Sequence, residues 1–257
     1  MKRQKSLNIP RRKFILSLPI TLAVLACPIW PFTAPALHAA GPNPEKTIRV
    51  ACVGDSITYG AGIKDRHHDS YPVVLGKLLG NGWEVRNFGH SGATLLKKGN
   101  LPYFNQKEHE EALAFAPDIV VVMLGTNDSK HRGDGSLNAD KAVDNWQYKA
   151  DFVPDYEALI AEFRKANPDV KVYVCLPTPC FPGRWGINNK TIHDEIIPLV
   201  RQVARDDHAA IIDLNTALAG KSSLFPDTVH PNPAGAKLMA DAVYEALTGK
   251  KAPANQK

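Results

Sequence analysis

The chain contains the stretch Arg49-Val50-Ala51-Cys52-Val53-Gly54-Asp55-Ser56-Ile57-Thr58, in which an apolar run ends at a glycine, an aspartate and a serine. The run from Ile48 to Val53 is mainly apolar and β-branched, which is typical of a strand covered by helices on both faces. The residues that follow place a serine hydroxyl just beyond the end of a buried strand. Such a serine is a candidate nucleophile if a base and a carboxylate lie beside it.

Strand-like and helical patterns alternate along the rest of the chain. The apolar runs predict four more strands, at 84–88, 118–124, 170–176 and 209–214. Amphipathic spacing and capping residues predict helices at 72–79, 108–115, 155–166, 191–206 and 233–248, the fourth of them bent at Pro198. Five strands separated by helices predict a three-layer α/β/α sandwich with a five-stranded parallel sheet. In such sheets the functional site lies beyond the carboxyl ends of the strands.

Candidate functional residues follow the ends of the predicted strands. Ser56 follows the first strand, Gly89 the second and Gly125-Thr126-Asn127-Asp128 the third, while Asp227-Thr228-Val229-His230 precedes the last helix. The spacing of Asp227 and His230 lets the carboxylate hold one ring nitrogen while the other faces a serine. Taken singly, Ser56 also fits a turn residue or a helix cap, and the Asp-His pair alone favours a capping aspartate beside a surface histidine. Together they predict a Ser56–His230–Asp227 triad.

These segments resemble the four signature blocks of the SGNH hydrolase superfamily, also called GDSL esterases. The blocks are Gly54-Asp55-Ser56-Ile57-Thr58, Asn87-Phe88-Gly89-His90-Ser91-Gly92, Gly125-Thr126-Asn127-Asp128 and Asp227-Thr228-Val229-His230. The resemblance covers about residues 48–247 and implies a flavodoxin-like SGNH topology and serine esterase activity. It also implies an oxyanion hole made by the backbone N–H groups of Ser56 and Gly89 and the side-chain amide of Asn127. This chemistry needs no metal ion and no organic cofactor.

The residues around the expected site suggest a sugar ester as substrate. The loops there carry Tyr103, Phe104, Trp146, Arg184 and Trp185 among polar residues. Isolated aromatic rings beside polar groups suit a sugar, although these rings could equally serve only to pack the loops.

The resemblance extends to bacterial carbohydrate O-acetylesterases, so we expect hydrolysis of small acyl esters, with Asp55, Arg184 and Trp185 contacting the substrate. The open alternatives are a lysophospholipase or thioesterase on the same fold and a non-catalytic carbohydrate-binding protein. Acyl-chain preference would separate the first of these from an acetylesterase.

The charge distribution separates the N-terminus from the rest of the chain. The net charge of +5 arises from 31 basic and 26 acidic residues, and residues 1–39 hold six of the basic residues and none of the acidic ones. The remainder is therefore nearly neutral, which argues against nucleic acid as a partner. The segment Arg11-Arg12-Lys13-Phe14-Ile15-Leu16 resembles a twin-arginine export signal, and an apolar stretch follows it to about Ala26.

These features predict an export signal at 1–39, a hydrolase domain at 40–249 and a disordered tail at 250–257. The expected location is the periplasm or the medium, without stable membrane association after signal cleavage. A lipoprotein signal ending at Cys27 and an uncleaved anchor are the alternatives.

Two further features are left open by the residues alone. Cys52 and Cys175 lie in apolar strands and are expected to be buried thiols, while a Cys175–Cys180 disulfide is the alternative for the second of them. The polar stretch from Ser129 to Asp151 is too long for a plain connection, so we expect it to form a loop beside the site rather than plain surface.

Overall fold

A computed structural model of the chain describes residues 46–131 and 143–253. These residues belong to one compact unit, Pro44–Lys257. The predicted export signal at 1–39, much of the predicted site-flanking loop (132–142) and the last four residues of the predicted tail lie outside the described residues.

The sheet has the predicted five parallel strands. They are β1 (Ile48–Gly54), β2 (Trp83–Gly89), β3 (Ile119–Met123), β4 (Lys171–Leu176) and β5 (Ala210–Asp213). Their order is β2-β1-β3-β4-β5, and every neighbouring pair is parallel. From β1 the chain first adds β2 on one side of the sheet and then β3 on the other, so the order of the strands reverses between β1 and β3. This is the point where doubly wound sheets bind their ligands.

Helices connect the strands and cover both faces of the sheet. In the described part of the chain the α-helices are α1 (Ser56–Tyr59), α2 (Arg66–Asp69), α3 (Tyr71–Leu79), α4 (Lys107–Ala114), α5 (Phe152–Ala166), α6 (Asn189–Thr191), α7 (Ile197–Asp206), α8 (Leu214–Leu218) and α9 (Pro233–Thr248). Short 3₁₀ turns span Tyr103–Asn105, Asn127–Ser129, Trp146–Asp151 and Ser222–Leu224.

The period-two alternation of the strands divides the apolar residues into two cores. In β1, Val50 and Cys52 pack on one face of the sheet, and Ala51 and Val53 pack on the other. Helices α3, α8 and α9 cover the first face, and α4, α5 and α7 cover the second. All five residues of β3 are buried because helices cover both sides of this central strand. The predicted α/β/α sandwich is confirmed.

The predicted helix at 191–206 is the element that differs most from its expected form. Instead of one α-helix bent at Pro198, the chain forms α6, a π-helical stretch at Ile192–Ile196 and then α7, with Pro198 in the first turn of α7. Proline has no N–H to donate to the carbonyl four residues earlier. Widening the preceding turn and restarting the helix at the proline removes the need for that bond.

Cys52 and Cys175 are free, buried thiols, and Cys180 is buried and forms no disulfide with Cys175. The alternative of a Cys175–Cys180 disulfide is therefore not what the structure shows. Burial raises the pKa of Cys52 to about 12, so its thiol stays neutral and acts as a small apolar side chain. Among the residues described, no helix has both the length and the apolar character needed to cross a bilayer.

Candidate active site

Ser56 is held at the junction of β1 and α1. The turn is tight: a Cβ atom on Gly54 would lie 2.1 Å from Thr58 Oγ1 and 2.7 Å from the Met123 carbonyl oxygen, so only glycine fits. Asp55 is the N-cap of α1, where its Oδ1 accepts a hydrogen bond of 2.9 Å from the Ile57 N–H. The cap fixes the start of the helix, and with it the direction of the Ser56 hydroxyl.

A chain of hydrogen bonds joins the serine to a carboxylate. Ser56 Oγ lies 2.8 Å from His230 Nε2, and His230 Nδ1 lies 2.7 Å from Asp227 Oδ2. The structure thus brings together the three residues predicted to form a triad, although Ser56 and His230 are 174 positions apart in the sequence. This arrangement can move a proton from the hydroxyl to the imidazole while the carboxylate holds the ring.

The carboxylate is oriented by its own backbone. Asp227 Oδ1 accepts the N–H groups of Val229 at 3.0 Å and His230 at 2.7 Å, which leaves Oδ2 for the imidazole. Thr228 adopts φ 75°, a conformation that is rare for a β-branched residue, and this bend folds the segment around the carboxylate. Burial by itself raises the pKa of Asp227, but the hydrogen bonds from His230 and Val229 outweigh it and lower the pKa below its usual value.

Asn127 presents its side-chain amide beside the serine. It lies in the 3₁₀ turn after β3, and one hydrogen of Nδ2 is donated to the Ala93 carbonyl oxygen at 3.1 Å. The amide has a second hydrogen, and Asn127 and Ser56 line the same pocket. This geometry leaves a donor for a ligand bound next to the hydroxyl.

The structure disagrees with the prediction that Gly89 offers its N–H to the substrate. That N–H donates to Asn87 Oδ1 at 2.9 Å. Glycine is required here for a different reason, because a Cβ atom would lie 2.2 Å from the backbone nitrogen of Tyr59. Gly92, in the same block, lines the pocket with Ser56, and no atom of the described residues accepts its N–H. It adopts φ 84° at the turn after β2, a feature that sequence alone did not single out.

Asp55 also differs from its predicted role as a substrate contact. Its side chain is completely buried and does not line the pocket with Ser56. Burial raises its pKa to about 6 despite the hydrogen bond from Ile57. Asp55 therefore serves as the N-cap of α1.

The pocket beside Ser56 has a volume of about 270 Å³. Its lining residues are Ser56, Ala61, Ser91, Gly92, Asn127, Lys130, Trp185, Ile187 and His230. The Trp185 ring lies 5.5 Å from the His230 ring, and the Arg184 guanidinium lies 4.8 Å from the centre of the indole. Arg184 is not among the lining residues, and it stacks on Trp185, which is.

The other aromatic residues considered for the site pack elsewhere. Tyr103 is fully buried and donates its hydroxyl to the Phe88 carbonyl oxygen, and Trp146 is buried with its indole nitrogen on Glu195. Phe104 packs against the core beside Lys97. The structure therefore agrees with the alternative interpretation of these three rings, namely that they pack the loops. Lys130 lines the pocket, so the described start of the polar stretch 129–151 does flank the site.

Asp128, the last residue of the third signature segment, has a supporting role that the sequence did not assign. Its carboxylate is fully buried and accepts the N–H groups of Leu95 at 3.0 Å and Leu96 at 2.8 Å. These bonds tie the loop that follows Gly92 to the turn that carries Asn127. Burial raises the pKa of Asp128 to about 6, even with these two donors.

A doubly wound parallel sheet that carries a serine–imidazole–carboxylate chain at its carboxyl edge is the architecture of an α/β serine hydrolase. The model of the GDSL-like Lipase/Acylhydrolase family matches residues 52–238. The chain belongs to this family, which confirms the predicted GDSL class of carboxylic ester hydrolases.

A relative in sequence agrees with this assignment. The chain is 40% identical over 224 residues to an acetylxylan esterase of Xylanibacter ruminicola, a match that covers 79% of this chain and 44% of that protein. The chain thus spans less than half the length of this relative.

Two solved structures share the fold at lower identity. Est24, a carbohydrate acetylesterase from Sinorhizobium meliloti, has a TM-score of 0.61 and 20% identity over 79% of this chain and 99% of its own. The aryl esterase of M. smegmatis has a TM-score of 0.59 and 19% identity, over 79% of this chain and 99% of its own.

Proposed function

We propose that the protein is a serine esterase that removes small acyl groups, acetyl above all, from carbohydrate. The observation that carries the proposal is the hydrogen-bonded chain from Asp227 through His230 to Ser56, which ends in an open pocket. A hydroxyl, an imidazole and a carboxylate in this order are the groups that acyl transfer to serine uses. A non-catalytic binding protein on this fold could have lost one of these groups, whereas this chain retains all of them.

In the proposed reaction Ser56 Oγ attacks the ester carbonyl while His230 Nε2 takes the hydroxyl proton. Asp227 keeps the other ring nitrogen protonated and stabilises the imidazolium. The tetrahedral intermediate then expels the alcohol, which receives its proton from His230. A water molecule, deprotonated by His230, attacks the acyl-serine and releases the acid, and the proton returns to Ser56.

Three donors are proposed to stabilise the negative charge on the former carbonyl oxygen. Ser56 is the first residue of α1, so its N–H has no acceptor within the helix. Gly92 supplies a second backbone N–H in place of Gly89, and Asn127 supplies the second hydrogen of its amide. Each such donor is worth about 10²–10³ in kcat.

The pocket favours a short acyl group. Its volume of about 270 Å³ is below the roughly 300–1,000 Å³ typical of drug-sized ligands. Trp185 offers an apolar ring beside His230, where the alcohol part of the ester would leave, and a sugar can stack on such a face. The activities named for the acetylxylan esterase and for Est24 support the same substrate class.

Hydrolysis of p-nitrophenyl acetate, butyrate and octanoate by wild type and Ser56→Ala tests the proposal. We expect Ser56-dependent hydrolysis that falls steeply with chain length, followed by release of acetate from acetylated sugars. A preference for octanoate would favour a lysophospholipase or thioesterase instead. Retained activity in folded Ser56→Ala would remove Ser56 as the nucleophile.

We also propose that the protein is exported by the twin-arginine route, on the sequence pattern of Arg11 and Arg12. Cell fractionation of the full chain and of the Arg11→Lys/Arg12→Lys variant tests this. Export of both forms at the same rate would contradict the proposal.

A further inference from the structure

Asn145 is a buried residue, outside the four signature segments, that contacts the turn carrying Asn127. Only 2% of its surface is exposed. Its Nδ2 donates to the Asn127 carbonyl oxygen at 2.8 Å, and its backbone N–H donates to the Lys130 carbonyl oxygen at 2.9 Å. Asn145 therefore holds both ends of the turn Asn127–Ser129.

The hydrogen bonds of the Asn145 side chain fix its orientation. The second hydrogen of Nδ2 is donated to Asn100 Oδ1 at 2.8 Å, and Oδ1 accepts the Asn100 N–H at 2.9 Å. A flipped amide would set its oxygen against two other oxygen atoms. Aspartate, with the same shape, has no hydrogen to donate to either of them. The position therefore requires an amide of this size.

The backbone of Asn127 depends on this contact. Its carbonyl oxygen is otherwise approached by the Lys130 N–H at 3.4 Å, which is a long bond. The Asn127 side chain has one hydrogen on the Ala93 carbonyl oxygen, and the direction of the second follows from the position of the backbone. Movement of this peptide would therefore shift the second amide hydrogen relative to Ser56, which lines the same pocket.

We propose that Asn145 is a positioning residue that aims the Asn127 amide at the oxyanion. The inference rests on the proposed function, since it assumes that Asn127 stabilises that charge. Asn145 does not line the pocket with Ser56, so it acts through Asn127 rather than on the substrate. It links the oxyanion donor to the loop at Asn100, a segment far from it in sequence.

A double-mutant cycle between Asn145→Ala and Asn127→Ala, with p-nitrophenyl acetate as substrate, tests this role. Asn127→Ala is expected to lower kcat by about 10² or more. Asn145→Ala in the wild-type background is expected to lower kcat about tenfold with little change in KM, because a misplaced donor loses transition-state stabilisation. In the Asn127→Ala background the same change should lower kcat by less than about twofold.

Stability gives the second readout. Asn145→Ala should lower the Tm by the same amount in both backgrounds, because the lost bond to Asn100 does not involve the Asn127 side chain. Asn145→Asp should lose as much kcat as Asn145→Ala. Asn167→Ala is the matched control. Its Nδ2 donates to the Pro117 carbonyl oxygen at 2.8 Å, and its Oδ1 accepts the Asp169 N–H at 3.1 Å. Asn167 lies just before β4, at the end of the strands opposite to the pocket. That variant should lower the Tm and leave kcat unchanged.

An equal loss of kcat from Asn145→Ala in both backgrounds, or no loss in either, would overturn the role given to Asn145. Unchanged kcat in Asn127→Ala would overturn the oxyanion role itself, and that failure shows in the single variant. If Asn145→Ala does not fold, Asn100→Ala answers the same question, because it removes Asn100 Oδ1, the acceptor of the second Nδ2 hydrogen, and leaves only the Asn100 N–H to orient the amide. Its loss of kcat should likewise disappear in the Asn127→Ala background, and a persistent loss would overturn the proposal.

Discussion

Replacing Asp227 by asparagine should remove most of the activity without unfolding the protein. The two backbone N–H groups of Val229 and His230 can still be accepted by the amide oxygen, so the bend at Thr228 is retained. The amide nitrogen then faces His230 Nδ1, where the carboxylate oxygen lay at 2.7 Å. A donor at this place forces Nδ1 to act as an acceptor, and the ring proton moves to Nε2.

An imidazole protonated at Nε2 cannot accept the proton of the Ser56 hydroxyl, 2.8 Å away. The same change in a serine protease lowers kcat about 10⁴-fold, which corresponds to about 5 kcal/mol of lost transition-state stabilisation. We expect a loss of this size in Asp227→Asn. The free energy of unfolding should change by less than about 1 kcal/mol, because one of the three hydrogen bonds is altered and none leaves an unpaired buried group.

Steady-state hydrolysis of p-nitrophenyl acetate, measured from pH 6 to pH 10, is the assay. The rate of Asp227→Asn should rise with hydroxide concentration, because hydroxide then replaces the imidazole as the base. Asp213→Asn is the control: Asp213 also caps a helix, through a bond of 2.8 Å from the Thr216 N–H, and it lies away from the pocket. A folded Asp227→Asn protein with kcat within about tenfold of wild type would refute the assignment of Asp227 as the residue that orients the ring.

Three further predictions follow from residues near the site. Gly89→Ala should fail to fold or should lose much stability, because its Cβ atom would lie 2.2 Å from the Tyr59 nitrogen. Gly92→Ala should fold and lose kcat. The reverse pattern in thermal unfolding and kinetics would contradict the assignment of the oxyanion N–H to Gly92 instead of Gly89. Trp185→Ala should raise KM for acetylated xylose oligomers several-fold more than for p-nitrophenyl acetate, and equal changes would argue against a sugar platform. Burial raises the pKa of Asp128 from 3.8 to about 6, so between these pH values the folded state binds more protons there than the unfolded state does. The free energy of unfolding contributed by this group therefore falls as pH rises through that window, by about 1–3 kcal/mol. In urea unfolding at pH 4.5 and 7.5, Asp128→Asn should show a smaller fall than wild type, while Asp55, whose pKa is also raised to about 6, keeps its own contribution.

The fold could be predicted from the sequence because each strand has a pattern of its own. All five strands lie within one residue of their predicted ends. The signal is clearest in β1 and β3, whose apolar β-branched runs are buried on both faces of the sheet. The region 191–206 departs from its predicted form because a missing N–H at Pro198 can be accommodated either by a bend or by a wider turn. Local sequence does not choose between these two solutions.

The site was predictable where a residue type implies its chemistry. A serine after a strand, an amide after another and an Asp-His pair before a helix can each be read locally. The roles of Gly89 and Asp55 could not be read in this way. Asn87 accepts the N–H of Gly89, and Asp55 is buried as the N-cap of α1. Both facts depend on how neighbouring segments pack.

The sequence by itself determined the alternation of strands and helices, the four signature segments and the residue types at the carboxyl edge of the sheet. Periodicity and turn chemistry are local properties, so they can be read from one chain. The tertiary structure alone decided that Gly92 rather than Gly89 faces the pocket and that Asp128 and Asn145 support the turn carrying Asn127. These roles depend on hydrogen bonds between segments tens of residues apart, whose partners become neighbours only once the sheet and its loops have formed.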